Sequence, residues 1–266
     1  MKFGTKLIGA LIVLAGAQAQ AMSPVFVETD TGCTFANECS TLVYVNTTVK
    51  INDRYTFSPE TRFDLNYPHN GSKFGVAHKY IRFVITDKSL AKLGSWKLGM
   101  AYRYTAPTTE GAQNAGTLGS LLFRPFLTNE WNVGLGKISL ALRENASIGL
   151  LKRPHVRTAA ADGTFAGNTA FSQVFEILPT WSLNDNWSFS ANWTVVNAYS
   201  LAGTAAPSKW DNNLYHAYEV DYSHPKYTLD TTLGVGINEN TAPFGSAFKL
   251  FGKDTTQWYV VVARSF

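Results

Sequence analysis

Apolar and polar residues alternate along most of this chain. Over 55–65, Tyr55, Phe57, Thr61, Phe63 and Leu65 share one face, with Pro59 among them. Thr56, Ser58, Glu60, Arg62 and Asp64 share the other. Period two is the signature of a strand, whose successive side chains point to opposite sides. The pattern recurs with Trp96, Leu98, Met100, Tyr102 and Tyr104 against Lys97, Gly99, Ala101 and Arg103. It recurs with Leu140, Leu142, Ala146, Ile148 and Leu150 against Ser139, Ala141, Arg143, Asn145 and Ser147, where Glu144 is the one misfit. Trp187, Phe189, Ala191, Trp193, Val195 and Tyr199 alternate with Ser188, Ser190, Asn192 and Thr194. Tyr227, Leu229, Thr231, Leu233, Val235 and Ile237 alternate with Thr228, Asp230, Thr232, Gly234 and Gly236.

The pattern predicts twelve strands, at 23–30, 40–51, 55–66, 79–87, 95–105, 118–135, 138–151, 170–183, 187–199, 213–222, 226–238 and 255–266. Alternation changes phase near Gly136-Lys137, which places a turn there rather than at Thr128-Asn129. Ten strands is the alternative count.

Two architectures produce such faces: a soluble sandwich, or a barrel with its apolar faces turned to lipid and its polar faces to a lumen. Three features favour the membrane barrel. The strands match the roughly 9–11 residues that a tilted strand needs to cross a bilayer, whereas soluble strands more often run about 5–6. Aromatic residues gather at strand ends: Trp181 and Trp187 flank Asn184-Asp185-Asn186, and Trp96 opens another strand. Tight connections (Asn52-Asp53-Arg54, Asn184-Asp185-Asn186) alternate with long ones (66–78, 105–117, 152–169, 200–212), the asymmetry of short periplasmic turns and longer outer loops. Trp96, Trp181 and Trp187 are expected in one interfacial belt, with Tyr102, Tyr104, Tyr199 and Trp258 nearer the opposite rim.

The start of the chain reads as an export signal. Residues 1–6 carry Lys2 and Lys6, residues 7–17 are apolar, and Ala19-Gln20-Ala21 is a small-x-small site. Residues 1–21 are expected to be cleaved, leaving a single barrel domain over 22–266. The only two cysteines, Cys33 and Cys39, then fall in an oxidising compartment and are expected to form a disulfide. Two thiolates with no nearby His make a poor zinc site, and no metal or cofactor is expected.

The C-terminus, WYVVVARSF, resembles that of Gram-negative outer-membrane β-barrel proteins, porin-like ones included. These typically end in Phe, with apolar residues at every second position before it. Trp258, Val260, Val262 and Phe266 fit, and Arg264 departs from the pattern. The resemblance implies residence in outer-membrane lipid and insertion by the barrel-assembly machinery. It is specific for class and not for substrate.

Composition narrows the field further. Charged residues make up 16% of the chain and mean hydropathy is −0.08, too polar for a bundle of apolar transmembrane helices. Aromatic content of 14% argues against disorder. Without Lys2 and Lys6 the net charge falls from +4 to +2, and no basic run is present, so no nucleic-acid partner is expected.

The polar faces carry the functional signal. The registers turn Lys50, Arg62, Arg82, Lys97, Arg103, Arg124 and Arg143 inward on the first half of the barrel, with the acids Glu60, Asp64 and Glu130 among them. They turn Glu176, Glu219, Asp221 and Asp230 inward on the second half. A mainly basic wall would thus face an acidic one across the lumen, the charge arrangement of a selective pore. The leading expectation is a channel for small hydrophilic solutes, anionic or zwitterionic by preference. The alternatives are a plugged structural or adhesive barrel acting through its loops, or a barrel-embedded Ser–His hydrolase of the lipase or deacylase type. Ser223-His224 and His69-Asn70-Gly71-Ser72 are the nearest Ser/His pairings, both at turns or loops, and there is no G-x-S-x-G elbow or HExxH helix. No catalytic residue is therefore assigned. His216 falls on the apolar face by register.

Overall fold

The computed structural model describes residues 25–34, 38–68, 73–114, 116–154, 156, 166–204, 207–224, 231–241 and 256–265. The strands are β1 (Val25–Thr34), β2 (Cys39–Thr47, continued by Val49–Lys50), β3 (Tyr55–Asn66), β4 (Gly75–Leu93), β5 (Trp96–Ala106), β6 (Thr117–Val133), β7 (Gly136–Leu151), β8 (Thr169–Ser182), β9 (Trp187–Ser200), β10 (Lys209–His224), β11 (Thr231–Thr241) and β12 (Thr256–Ser265). A short helix, α1 (Glu110–Asn114), sits between β5 and β6. Each strand pairs antiparallel with the next, and β12 pairs back onto β1, so a twelve-strand sheet closes on itself. Closure satisfies the backbone of every strand, which lipid demands because it offers no hydrogen bonds.

The ten-strand alternative is set aside. Strands one, four and ten run longer than expected, reaching Thr34, Gly75 and Lys209. The β6–β7 turn is Gly134-Leu135 rather than Gly136-Lys137, since Gly136 already pairs with Val133. Gly136 has φ +105°, and a Cβ there would lie 2.1 Å from the Ser182 carbonyl oxygen, so the position requires glycine.

The cross-strand register assigns every side chain a face. Leu121, Phe123, Ile177, Phe189, Leu233, Val235, Val260 and Val262 are exposed on the outer wall. Val84, Ala101, Leu122, Ala217, Tyr259 and Val261 are buried inside. A sandwich would bury the first set. An outer wall this apolar far exceeds the patches that soluble monomers show. Leu98 and Leu142 also share the outer face, as cross-strand partners of Leu127.

The two ends of the barrel differ. Asn52 Oδ1 accepts the N–H groups of Arg54 and Tyr55 at 2.9 and 2.8 Å. Asn184 Oδ1 accepts those of Asn186 and Trp187, both at 2.9 Å. These Asx turns explain why asparagine opens each tight connection. Beside the first, Lys50 pairs with Asp53 at 2.6 Å and holds that carboxyl below its ordinary range.

Aromatic rings gather just above the short turns. Trp96 meets Trp131 edge-on at 5.8 Å, Trp181 meets Phe189 at 5.7 Å, and Trp187 meets Tyr222 at 4.8 Å. Trp181 Nε1 also donates to the Leu135 carbonyl at 2.8 Å. At the loop end, Tyr199 and Phe171 both pack on Trp210, and the Tyr104 hydroxyl donates to the Leu118 carbonyl. Trp258 lies at that end too, opposite Cys33 in register. Tyr102 is the exception. It sits at mid-strand against Phe123, within the apolar band rather than at a rim. Cys33 and Cys39 are disulfide-bonded across the β1–β2 loop, their Cα atoms 4.1 Å apart. Residues 1–21, His69, Ser72, His155, Leu229, Asp230 and Phe266 lie outside the described residues.

Candidate functional site: a lumen with opposed charges

Strand register brings five arginines to the lumen on five consecutive strands. Arg62 (β3), Arg82 (β4), Arg103 (β5), Arg124 (β6) and Arg143 (β7) share a face with buried residues such as Val84, Ala101 and Leu122. Each follows from period two on its own strand; their alignment follows from the pairing.

The five are not equivalent. Arg62 forks onto Asp64, with Nε to Oδ1 at 2.8 Å, and Lys79 reaches the same carboxylate at 3.2 Å. The guanidinium of Arg82 lies 3.3 Å from the centre of the Tyr80 ring, a close cation–π stack. Arg124 donates to Asn145, whose amide nitrogen donates to Glu176 at 2.8 Å. Arg143 stands directly across the β7–β8 ladder from Glu176. That pairing joins the basic wall to the acidic one at the β7–β8 seam. The cluster with weak compensation is Arg82, Arg103 and Arg124. They line a cavity of about 190 Å³ together with Tyr44, Glu60 and Tyr80. The Nε groups of Arg82 and Arg103 are buried there with no hydrogen-bond partner. A buried donor without an acceptor is costly, so this pocket is set to receive acceptor oxygens.

Two expected members of the basic wall lie elsewhere. Lys50 is paired with Asp53 beside a short turn. Lys97 is the second residue of β5, opposite Lys92 at the same end of the barrel. Both sit at the short-turn mouth, because their strands end there. Glu130 is at that mouth as well and pairs with Lys137 at 2.6 Å. It therefore does not neutralise the arginine cluster.

The acidic side is larger than expected. Glu219 and Asp221 on β10 face inward, register partners of Gly236 and Gly234 on β11. A Cβ on Gly234 would stand 2.5 Å from Asp221 Oδ1, and one on Gly236 would stand 2.3 Å from the Tyr259 ring. The two glycines thus let acidic and phenolic side chains lie flat across β11. In a ring of twelve, β11 is directly opposite β5, which carries Arg103. Glu28 and Asp30 on β1 add to this wall, opposite buried Ala263 and Val261 on β12. Sequence reasoning missed both. Their signal was present, since they alternate with Val25, Val27 and Thr29. The inward tyrosines Tyr44, Tyr80, Tyr215 and Tyr259 were missed likewise, although the first three share the parity of a charged residue on their strands. A second cavity of about 350 Å³ lies between Arg143 and the Tyr215–Glu219–Tyr259 group. The described side chains therefore leave these two spaces in the interior unfilled.

His78 and His216 belong to the wall. His78 Nε2 lies 3.1 Å from Thr61 Oγ1 and 3.0 Å from the Tyr80 carbonyl oxygen. His216 is only 3% exposed and packs against the Tyr218 ring, which shields it on an otherwise apolar face. Among the described residues, no cluster of three or more His, Cys, Asp or Glu has the arrangement to hold a metal ion.

Solved structures share this architecture. The chain superposes on the NanC porin with a TM-score of 0.52 at 10% identity, covering 91% of this chain and 98% of that one. An outer-membrane channel from Pseudomonas putida F1 aligns with a TM-score of 0.57 at 11% identity, covering 93% and 97%. No family model matches the sequence, and no curated protein matches it. The chain has the fold of porin-like outer-membrane β-barrels.

Proposed function

We propose that this protein is an outer-membrane channel for small hydrophilic solutes, with a preference for anionic or zwitterionic ones. The observation that carries the reading is the Arg82–Arg103–Arg124 cluster, which lines one cavity and in which the buried Nε groups of Arg82 and Arg103 have no hydrogen-bond partner. Fixed, oriented donors in a confined space favour an anion over a cation. The acidic wall across the lumen supplies the opposite pole, so a solute bearing both charges is held crosswise. The porin-like fold supports passage, and an eight-strand barrel would be filled where twelve strands leave room. His78 and His216 serve as wall contacts rather than as members of a Ser–His pair. Outer-membrane lipid and the barrel-assembly machinery are the implied partners. The test is the reversal potential in a salt gradient across planar bilayers. Wild type should be anion-selective, and Arg103→Ala/Arg124→Ala should move the potential toward zero. A cation-selective wild type, or an unchanged double variant, would discard the anion preference. Absence of conductance would discard the channel.

A further inference from the structure

Among the described residues, a row of side-chain amides crosses the mainly apolar outer wall of β7–β10. Gln173 on β8, Asn197 on β9 and Asn212 on β10 are successive register partners. They share the face of Phe175, Ile177, Trp193 and Tyr218, which are exposed outside the barrel. Glu144 on β7 joins the row, accepting a hydrogen bond from Gln173 Nε2 at 2.6 Å. Among the described residues the amides of Asn197 and Asn212 have no hydrogen-bond partner.

The row lies within the lipid band. Gln173 stands eight residues along β8 from belt residue Trp181. At roughly 3.3 Å per residue and a tilt near 40°, that is about 20 Å above the belt, inside an apolar band about 25 Å tall. Glu144 is six residues from Ile138, the register partner of Trp181, and so lies about 15 Å up. The ring cluster of Phe171, Tyr199 and Trp210 lies beyond the row, toward the loops. Beyond the Gln173–Glu144 contact, acyl chains would therefore surround these groups in a lone barrel, and they offer neither donors nor acceptors.

We infer that this row is a self-association surface, and that its occupant is the same row of a second copy of this chain. Side-chain amides both donate and accept, so a two-fold axis along the membrane normal pairs the row with itself. Glu144 adds an acceptor that an amide of the partner can meet. Polar groups of this kind hold membrane-embedded surfaces together because lipid cannot substitute for them.

The experiment uses the whole protein in outer-membrane vesicles. Single cysteines replace Asn197 or Asn212, with Val43→Cys on the opposite wall as the control. The native cysteines are already bonded to each other. Mild oxidation should give disulfide-linked dimers at the row and none at Val43. Sedimentation of the detergent-solubilised wild type should give the mass of a dimer. Glu144→Leu/Gln173→Leu/Asn197→Leu/Asn212→Leu should still fold, shown by heat-modifiable gel migration, and should associate at least about tenfold more weakly. A monomeric wild type, with or without bound lipopolysaccharide, would overturn the inference. So would an unchanged mass in the four-leucine variant, or cross-linking no stronger at the row than at Val43.

Discussion

Arg103 and Gly234 show how much one residue decides in this lumen. Arg103 has a buried Nε with no partner, so removing its side chain costs little attraction and relieves repulsion with Arg82 and Arg124. Arg103→Ala alone is therefore expected to leave the barrel at least as stable as wild type while shifting its selectivity. Urea unfolding in detergent and bilayer reversal potentials read the two effects separately. Gly234 acts on the other wall. Any Cβ there meets the Asp221 carboxylate at 2.5 Å, and that carboxylate, the free end of a side chain, must swing off β11 to make room. Gly234→Ala is expected to change stability by less than about 1 kcal/mol while shifting the bilayer reversal potential, because the acidic wall is rearranged. An unchanged reversal potential would mean that the acidic side chains do not rest on β11.

At the scale of elements, the β1–β2 hairpin is pinned by its disulfide, which spans a sequence separation of 6. A loop this small restricts the unfolded chain only modestly. Cys33→Ser/Cys39→Ser is expected to lose about 2 kcal/mol with strand content by circular dichroism unchanged. Much of the strand plan was legible beforehand: β3 and β9 fall within one residue of their expected limits, because period two is unbroken there. The β6–β7 turn was displaced by two residues, since alternation alone cannot say which residue of a phase change holds the turn. Gly136, with its positive φ, starts the next strand instead of making the turn. Glu28 and Asp30 were legible in parity and overlooked because the first strand looked short. The partner that extends it is β12, more than 200 residues away in sequence.

In the proposed channel, the whole molecule sets the field in which solutes move, and salt entering between the two charged walls screens it. Screening extends over about 30 Å at 0.01 M and about 3 Å at 1 M. The anion preference proposed here should thus be largest in dilute salt and fall toward 1 M. Reversal potentials measured over that range check it. The part that survives high salt measures direct contact with the arginine cluster, which salt screens less than the summed field. Conductance should be well below that of a sixteen-strand porin, because barrel width grows with strand number.

By itself the sequence determined the strand plan, the face of each residue and the class of fold. Those depend on local alternation, and in lipid an alternating strand must join a closed sheet. The tertiary structure alone decided which charges meet. Arg143 faces Glu176 because β7 and β8 pair in that register, and Arg82 joins Arg103 and Arg124 because β4, β5 and β6 do. Glu219 and Asp221 rest on Gly236 and Gly234 through the β10–β11 ladder, while Lys50 and Lys97 fall at the mouth because their strands end there. Parity says that a side chain points inward. Its height and neighbours come from stagger between strands, a long-range property that no single segment encodes.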